Sequence, residues 1–213
     1  MRDTAIGIEV TNDPEALSAF LQPDCVAAIW HRQTPPDVQN WLDALDPERL
    51  PRGRVILQSE AVTSAVDHFC HMTGLPAGPG RDWLQADIAL LAERFSDLTG
   101  SRFLRLRLDV ITSNACRKFH IDSVTARLVC TYRGTGTQYG ISNDGHDPEQ
   151  IMTVQTGSPI LLRGTLWPSH PPAGVLHRSP PIEETGETRL LLVLDSVADP
   201  QSEVGEMVLE QVH

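Results

Sequence analysis

The sequence predicts an α+β chain in which a mainly helical first half precedes a β-sandwich or barrel. Three observations predict it. Up to Gly100 the apolar residues recur at helical spacing. From Leu104 the apolar period switches to two. Short apolar runs cut by Gly, Pro and Asn then continue to Asp195, the pattern of many short strands joined by turns.

Taken in order, Asp13-Pro14-Glu15 is a helix start, with Asp as N-cap, Pro in the first position and Leu17, Phe20 and Leu21 as one apolar face. Pro35-Pro36-Asp37 opens a second helix carrying Val38, Trp41, Leu42 and Leu45, which Pro47 ends. Arg54 to Leu57 is a short strand. Ser59-Glu60 starts a third helix, with Val62, Ala65, Val66 and Phe69, closed by Gly74-Leu75-Pro76. The clearest helix covers 81–99, with Trp83, Ile88, Leu91, Phe95 and Leu98 at helical spacing and Gly100 as C-cap. Leu104, Leu106, Leu108 and Val110 then alternate with Arg105, Arg107 and Asp109, a half-buried strand. Val124 to Tyr132 is the next strand, with Arg133-Gly134-Thr135-Gly136 as its turn. Met152 to Gln155, Pro159 to Arg163, Gly174 to Arg178 and Thr188 to Asp195 complete the set. The expected organisation is a helical region over 1–100, a β core over 101–197 and an acidic tail over 198–213, within one composite domain.

The chain has 213 residues, enough to bury a sizeable core. Its net charge of −11 argues against nucleic acid and anionic membrane surfaces as partners, because phosphate binding wants a basic surface. No apolar run approaches the roughly 18 residues of a spanning helix, and no signal-peptide pattern is present. The expectation is a cytoplasmic protein, with a homo-oligomer compatible with the sequence. Cys25, Cys70, Cys116 and Cys130 are scattered without a Cys-x-x-Cys pair, which gives neither a zinc ribbon nor a disulfide framework.

The chemistry is concentrated in His120-Ile121-Asp122, with His177 downstream and Arg189 beyond it. Residues two apart on an extended chain leave the same face, so His120 and Asp122 can reach one point together. Two imidazoles and one carboxylate on one side of a metal leave the opposite side open, which is the facial triad of non-haem Fe(II) oxygenases. An α-keto acid such as 2-oxoglutarate can chelate at that open side. Arg189, on the following strand, offers the fork that pairs with a carboxylate. The bland alternative is a hydrogen-bonded strand end, a core histidine and a surface arginine. Arg105, Arg107 and Arg127 share the polar faces of their strands and line an anion pocket if those faces look into the barrel. Tyr132 is a candidate for a cosubstrate carboxylate or an ordinary core tyrosine. Weaker candidates are the His68–His71 pair, Cys116 four residues before His120, His146 in a polar loop, and His170. Arg178 is expected to point away from its neighbour His177.

The segments Leu106-Arg107-Leu108-Asp109-Val110, Cys116-Arg117-Lys118-Phe119-His120-Ile121-Asp122, Cys130-Thr131-Tyr132-Arg133-Gly134-Thr135-Gly136-Thr137, Leu161-Leu162-Arg163-Gly164 and Leu176-His177-Arg178-Ser179-Pro180-Pro181 resemble a bacterial domain family of unknown function. That family tends to be encoded near zinc-homeostasis genes, which implies a role under zinc limitation. More distantly, the same region is similar to Fe(II)/2-oxoglutarate dioxygenases of the double-stranded β-helix (jelly-roll, cupin-like) fold. The resemblance implies metal ligands at His120, Asp122 and His177, with Arg189 as cosubstrate anchor. It departs in one place: Leu191 stands where many such enzymes carry Ser or Thr two residues after their arginine. The leading expectation is therefore an Fe(II)- and 2-oxoglutarate-dependent dioxygenase acting on a small molecule or a protein side chain. The alternatives are a cupin-like zinc-binding protein without catalysis, and a zinc-dependent hydrolase in which the metal activates water.

Overall fold

Two β-sheets enclose one core between them, and helices cover the outer face of the larger sheet. The computed structural model describes residues 7–142, 146–168 and 174–200. In chain order the strands are β1 (Gly7–Thr11), β2 (Cys25–Trp30), β3 (Gly53–Leu57), β4 (Phe103–Ile111), β5 (Ala126–Arg133), β6 (Gln138–Ile141), β7 (Met152–Thr153), β8 (Pro159–Arg163), β9 (Val175–Arg178) and β10 (Arg189–Val197). The large sheet has the order β1-β2-β8-β5-β10-β4-β3, antiparallel except for the β1–β2 pair, and the small one has the order β7-β6-β9. The helices are α1 (Pro36–Ala44), α2 (Val62–Met72) and α3 (Pro79–Thr99). Among the described residues no helix is long and apolar enough to cross a membrane.

The alternation read from the sequence is what makes the large sheet two-faced. Leu104, Leu106 and Leu108 of β4, Leu190, Leu192 and Leu194 of β10, and Leu128 and Cys130 of β5 join Leu84, Ile88, Leu91 and Phe95 of α3 in one buried cluster. Each such side chain contributes about 1.5–3 kcal/mol by leaving water. The opposite face contributes Val129, Ile160, Leu162, Leu191 and Val193 to a second cluster with Tyr139 and Val175 of the small sheet. α3 ends where Gly100 takes a left-handed φ of 65°, a conformation that suits glycine.

The first hundred residues hold more strand than the sequence predicts: β1 and β2 extend one edge of the large sheet and β3 the other. β2 is a short apolar run, Cys-Val-Ala-Ala-Ile-Trp, without alternation because both of its faces are covered. The helix expected at Asp13 is a 3-10 helix over Pro14–Leu21, capped by the Asp13 carboxylate, which accepts from the Glu15 amide at 3.0 Å. β6 was also not anticipated, and Val124 and Thr125 lie ahead of β5 rather than in it. His170 and residues 201–213 of the expected tail lie outside the described residues.

A buried polar network fastens α3 to the sheet. Arg32 donates twice to Asp87, at 2.6 and 2.7 Å, and the Tyr132 hydroxyl donates to the same carboxylate at 2.7 Å. Burial, with Asp87 alongside, holds the Tyr132 hydroxyl well above its ordinary pKa, so it stays a donor. Asp87→Ala strands the Arg32 charge among buried groups and is expected to lower unfolding free energy by about 3 kcal/mol. Urea melts of the two proteins measure the difference.

Candidate metal centre

His120 and His177 are brought together by backbone before side chains are considered. Their main chains exchange two hydrogen bonds, His120 N–H to His177 O at 3.1 Å and His177 N–H to His120 O at 3.0 Å, forming an isolated antiparallel bridge. The two rings lie side by side, with centroids 4.6 Å apart. The loop after His120 is clamped by the residues following β8: Thr165 N–H donates to Asp122 O at 2.9 Å, Leu166 N–H to Val124 O at 3.1 Å, and Gly164 N–H to Thr125 O at 3.0 Å. A Cβ on Gly164 would sit 1.9 Å from Val124 O, so only glycine admits this approach.

The side chains then converge. His120 Nε2 is 3.4 Å from Asp122 Oδ1, and His177 Nε2 is 2.9 Å from Asp122 Oδ2. One ligand atom from each of the three lies within 4.8 Å of the others, and this is the set of metal-ligating type among the described residues. His120 Nδ1 is 2.8 Å from Lys118 O, so Nδ1 donates there and Nε2 is the nitrogen that faces Asp122. Asp122 Oδ2 is buried without a properly aligned hydrogen bond despite its 2.9 Å approach to His177. A buried carboxylate oxygen without a hydrogen bond, with an imidazole nitrogen from each histidine turned toward the same carboxylate, is a donor set that fits a divalent metal.

Arg127 pairs with Asp122 Oδ1 and also donates through Nε and Nη2 to Asp195, at 2.5 and 2.9 Å. Burial alone would raise the Asp122 pKa, but the two histidines and Arg127 overcome it and hold the carboxyl far below its ordinary range. The His120 imidazole is raised by its hydrogen bond to Asp122, against the opposing effect of burial.

The cluster opens on a cavity of about 270 Å³, lined among others by Arg54, Arg105, Arg107, Val129, Thr137 and Val193. Arg107, expected as a cosubstrate contact, is in this wall. Tyr132 is not: its ring packs with the helical cluster and its hydroxyl is held by Asp87, on the other face of the sheet. Arg178, expected to point away, reaches the cavity rim, with its guanidinium 4.4 Å from the Phe119 ring centroid. Cys116 lies in the same lining and is exposed. His71 is engaged with Asp67, which Arg81 and Gln85 also hold, and His146 lines a separate pocket.

Arg189 is on the inward face of β10, in register with Leu191, Val193 and Asp195, but below the cavity lining. It is fully buried, donating through Nε to Thr135 O at 2.6 Å and through Nη2 to Thr131 Oγ1 at 3.3 Å, while Nη1 has no hydrogen-bond partner among the described residues. Burial pushes its pKa down to about 10, with Glu187 opposing. Thr131 stands directly opposite Leu191 and places a hydroxyl where the sequence of β10 itself supplies none. Sequence reasoning missed Thr131, the Gly164 clamp and the Asp195 side of the Arg127 bridge. An aspartate on the inward period of an otherwise apolar β10 was the available signal for the last.

The chain belongs to the protein family of unknown function DUF1826, whose model matches residues 11–195. No curated protein sequence is significantly similar to it. Among solved structures it is similar to the dioxygenase for auxin oxidation from rice, at 16% identity and a TM-score of 0.50, covering 92% of this chain and 84% of that one. It is also similar to the dioxygenase for auxin oxidation 1 from Arabidopsis thaliana in its 2-oxoglutarate complex, at 11% identity and a TM-score of 0.53, covering 92% and 94%. At these identities the likeness shows the fold.

Two outcomes follow from the geometry. Gly164→Ala is expected to weaken divalent-metal binding by about tenfold through the displaced Asp122 loop, as loss of a supporting contact does; competition with a chromophoric chelator reads it. In the metal-free protein the raised His120 contributes stability that is full below its unfolded pKa and lost as pH rises through its folded one. The wild type should therefore lose more stability than His120→Ala as pH rises above about 6.5, measured by paired urea melts.

Proposed function

We propose that this member of the family is a non-haem Fe(II) oxygenase that consumes 2-oxoglutarate to oxidise a small molecule or a protein side chain. The observation that carries the proposal is the pairing of a convergent His120–Asp122–His177 cluster with a buried Arg189 that has no carboxylate bonded to it among the described residues. We read the two facing sheets as a double-stranded β-helix. In that reading β4, β10, β5 and β8 form the major sheet, and the His120 bridge joins β9, β6 and β7 in the minor one.

His120, Asp122 and His177 would hold the metal from one side, with Arg127 fixing the carboxylate and Lys118 O fixing one imidazole. The bound metal supplies the coupling of O₂ reduction to decarboxylation of 2-oxoglutarate, giving succinate, CO₂ and the oxygenated substrate. Arg189 Nη1, with the Thr131 hydroxyl beside it, is the group we assign to the far carboxylate of the cosubstrate. Leu191, Val193 and Val129 keep water from the space between. Two imidazoles and one carboxylate also suit zinc, but a site that only stores zinc leaves the Arg189 charge without a counter-ion.

A buried charge with an unfilled donor costs stability and is retained where a ligand uses it. Anaerobic addition of Fe(II) and then 2-oxoglutarate should produce a visible metal-to-ligand charge-transfer band. Arg189→Met should leave the metal-free protein equally or more stable yet weaken 2-oxoglutarate by about 30-fold or more. Tight metal binding with no band at any 2-oxoglutarate concentration would sink the oxygenase reading.

A further inference from the structure

We propose that the prime substrate is an acidic small molecule whose oxyanion group is held at the mouth of the metal cavity by Arg54, Arg105 and Arg107. The inference rests on the oxygenase reading above and names its substrate class. Arg54 of β3 stands directly opposite Arg107 of β4, and Ile56 opposite Arg105, so the three arginines share the face that looks into the cavity. Like charges placed directly opposite each other destabilise a strand pair unless something answers them. In this chain the placement runs against the bulk: the net charge is −11, yet five arginines and three aspartates line the cavity.

Among the described residues the three aspartates leave Arg54 and Arg107 without a hydrogen-bonded carboxylate. Asp122 and Asp195 are both held by Arg127, and Asp195 also lies 3.5 Å from Arg105. That leaves Asp109, 3.6 Å from Arg107, beyond hydrogen-bond reach. Arg107 Nε is buried without a hydrogen-bond partner, and Arg54 is exposed without an ion pair among the described residues. Guanidinium forks on adjacent strands, roughly 5–7 Å apart at their bases, suit an oxyanion that accepts from more than one of them. The cavity, at about 270 Å³, has room for a small acid rather than a large one.

The test uses the full chain loaded with Zn(II) and no 2-oxoglutarate, titrated calorimetrically with inorganic phosphate and separately with malonate. Binding of one of them is expected, with Kd raised about tenfold or more by Arg107→Gln and several-fold by the exposed Arg54→Gln. Whichever probe binds more tightly assigns the group as tetrahedral or planar. Absence of binding overturns the proposal, as does binding unchanged in both variants, which would put the anion on the metal. A 2-oxoglutarate affinity on the Fe(II) protein that falls in Arg107→Gln as far as the probe's would assign the cluster to the cosubstrate and likewise overturn it. Because the anion titration needs neither iron nor 2-oxoglutarate, its failure is distinct from failure of the oxygenase reading.

Discussion

Arg127 holds two carboxylates at once, and the site's geometry depends on that one side chain. One of them, Asp122, sits on an irregular loop; the other, Asp195, is almost wholly buried on β10. A lone carboxylate buried like Asp195 would carry a large desolvation cost, and Arg127 offsets it with a bidentate pair. The third contact, to Asp122, ties the loop to the most rigid part of the sheet. A candidate metal ligand on a loop is thereby held by the strands of the sheet.

β10 shows how the large sheet serves stability and chemistry together. Its even positions, Leu190, Leu192 and Leu194, enter the helical core, while Arg189, Leu191, Val193 and Asp195 face the small sheet. Charges stand at both ends of the inward row and apolar residues between them. The arrangement separates Arg189 from Asp195 by a buried apolar stretch, where electrostatic interactions are strongest. The unneutralised Arg189 is carried at a cost in stability that the two hydrophobic clusters cover.

A break in the strand ladder decides which face of the sheet Arg133 joins. Between Leu190 and Leu191 the pairing with β5 skips a residue, from Arg133 to Thr131. The bulge leaves Tyr132 on the helical side with Leu128 and Cys130 and brings Arg133 to the same side, where the two meet Asp87 and the Leu45 carbonyl. Thr131 is left facing inward beside Arg189. No residue in Cys130-Thr131-Tyr132-Arg133 announces a bulge. Strict alternation gives no guide here either, because this strand is buried on both faces.

The amino-acid sequence by itself determined the elements whose signal is local. The apolar spacing of α3, the alternation of β4, the bounded run of β8 and the His-x-Asp donor pair can each be read within a dozen residues. It also supplied the third candidate ligand, His177, and the arginine at 189. Tertiary structure alone decided that His177 lies against His120, that Arg127 bridges two carboxylates, and that Tyr132 turns away from the site while Thr131 turns toward it. It also decided that β1, β2 and β3 belong to the same sheet as the late strands. The reason is physical: a side chain's period records the environment on either side of its own strand. Which distant strand provides that environment is fixed only when backbone hydrogen bonds close across the fold.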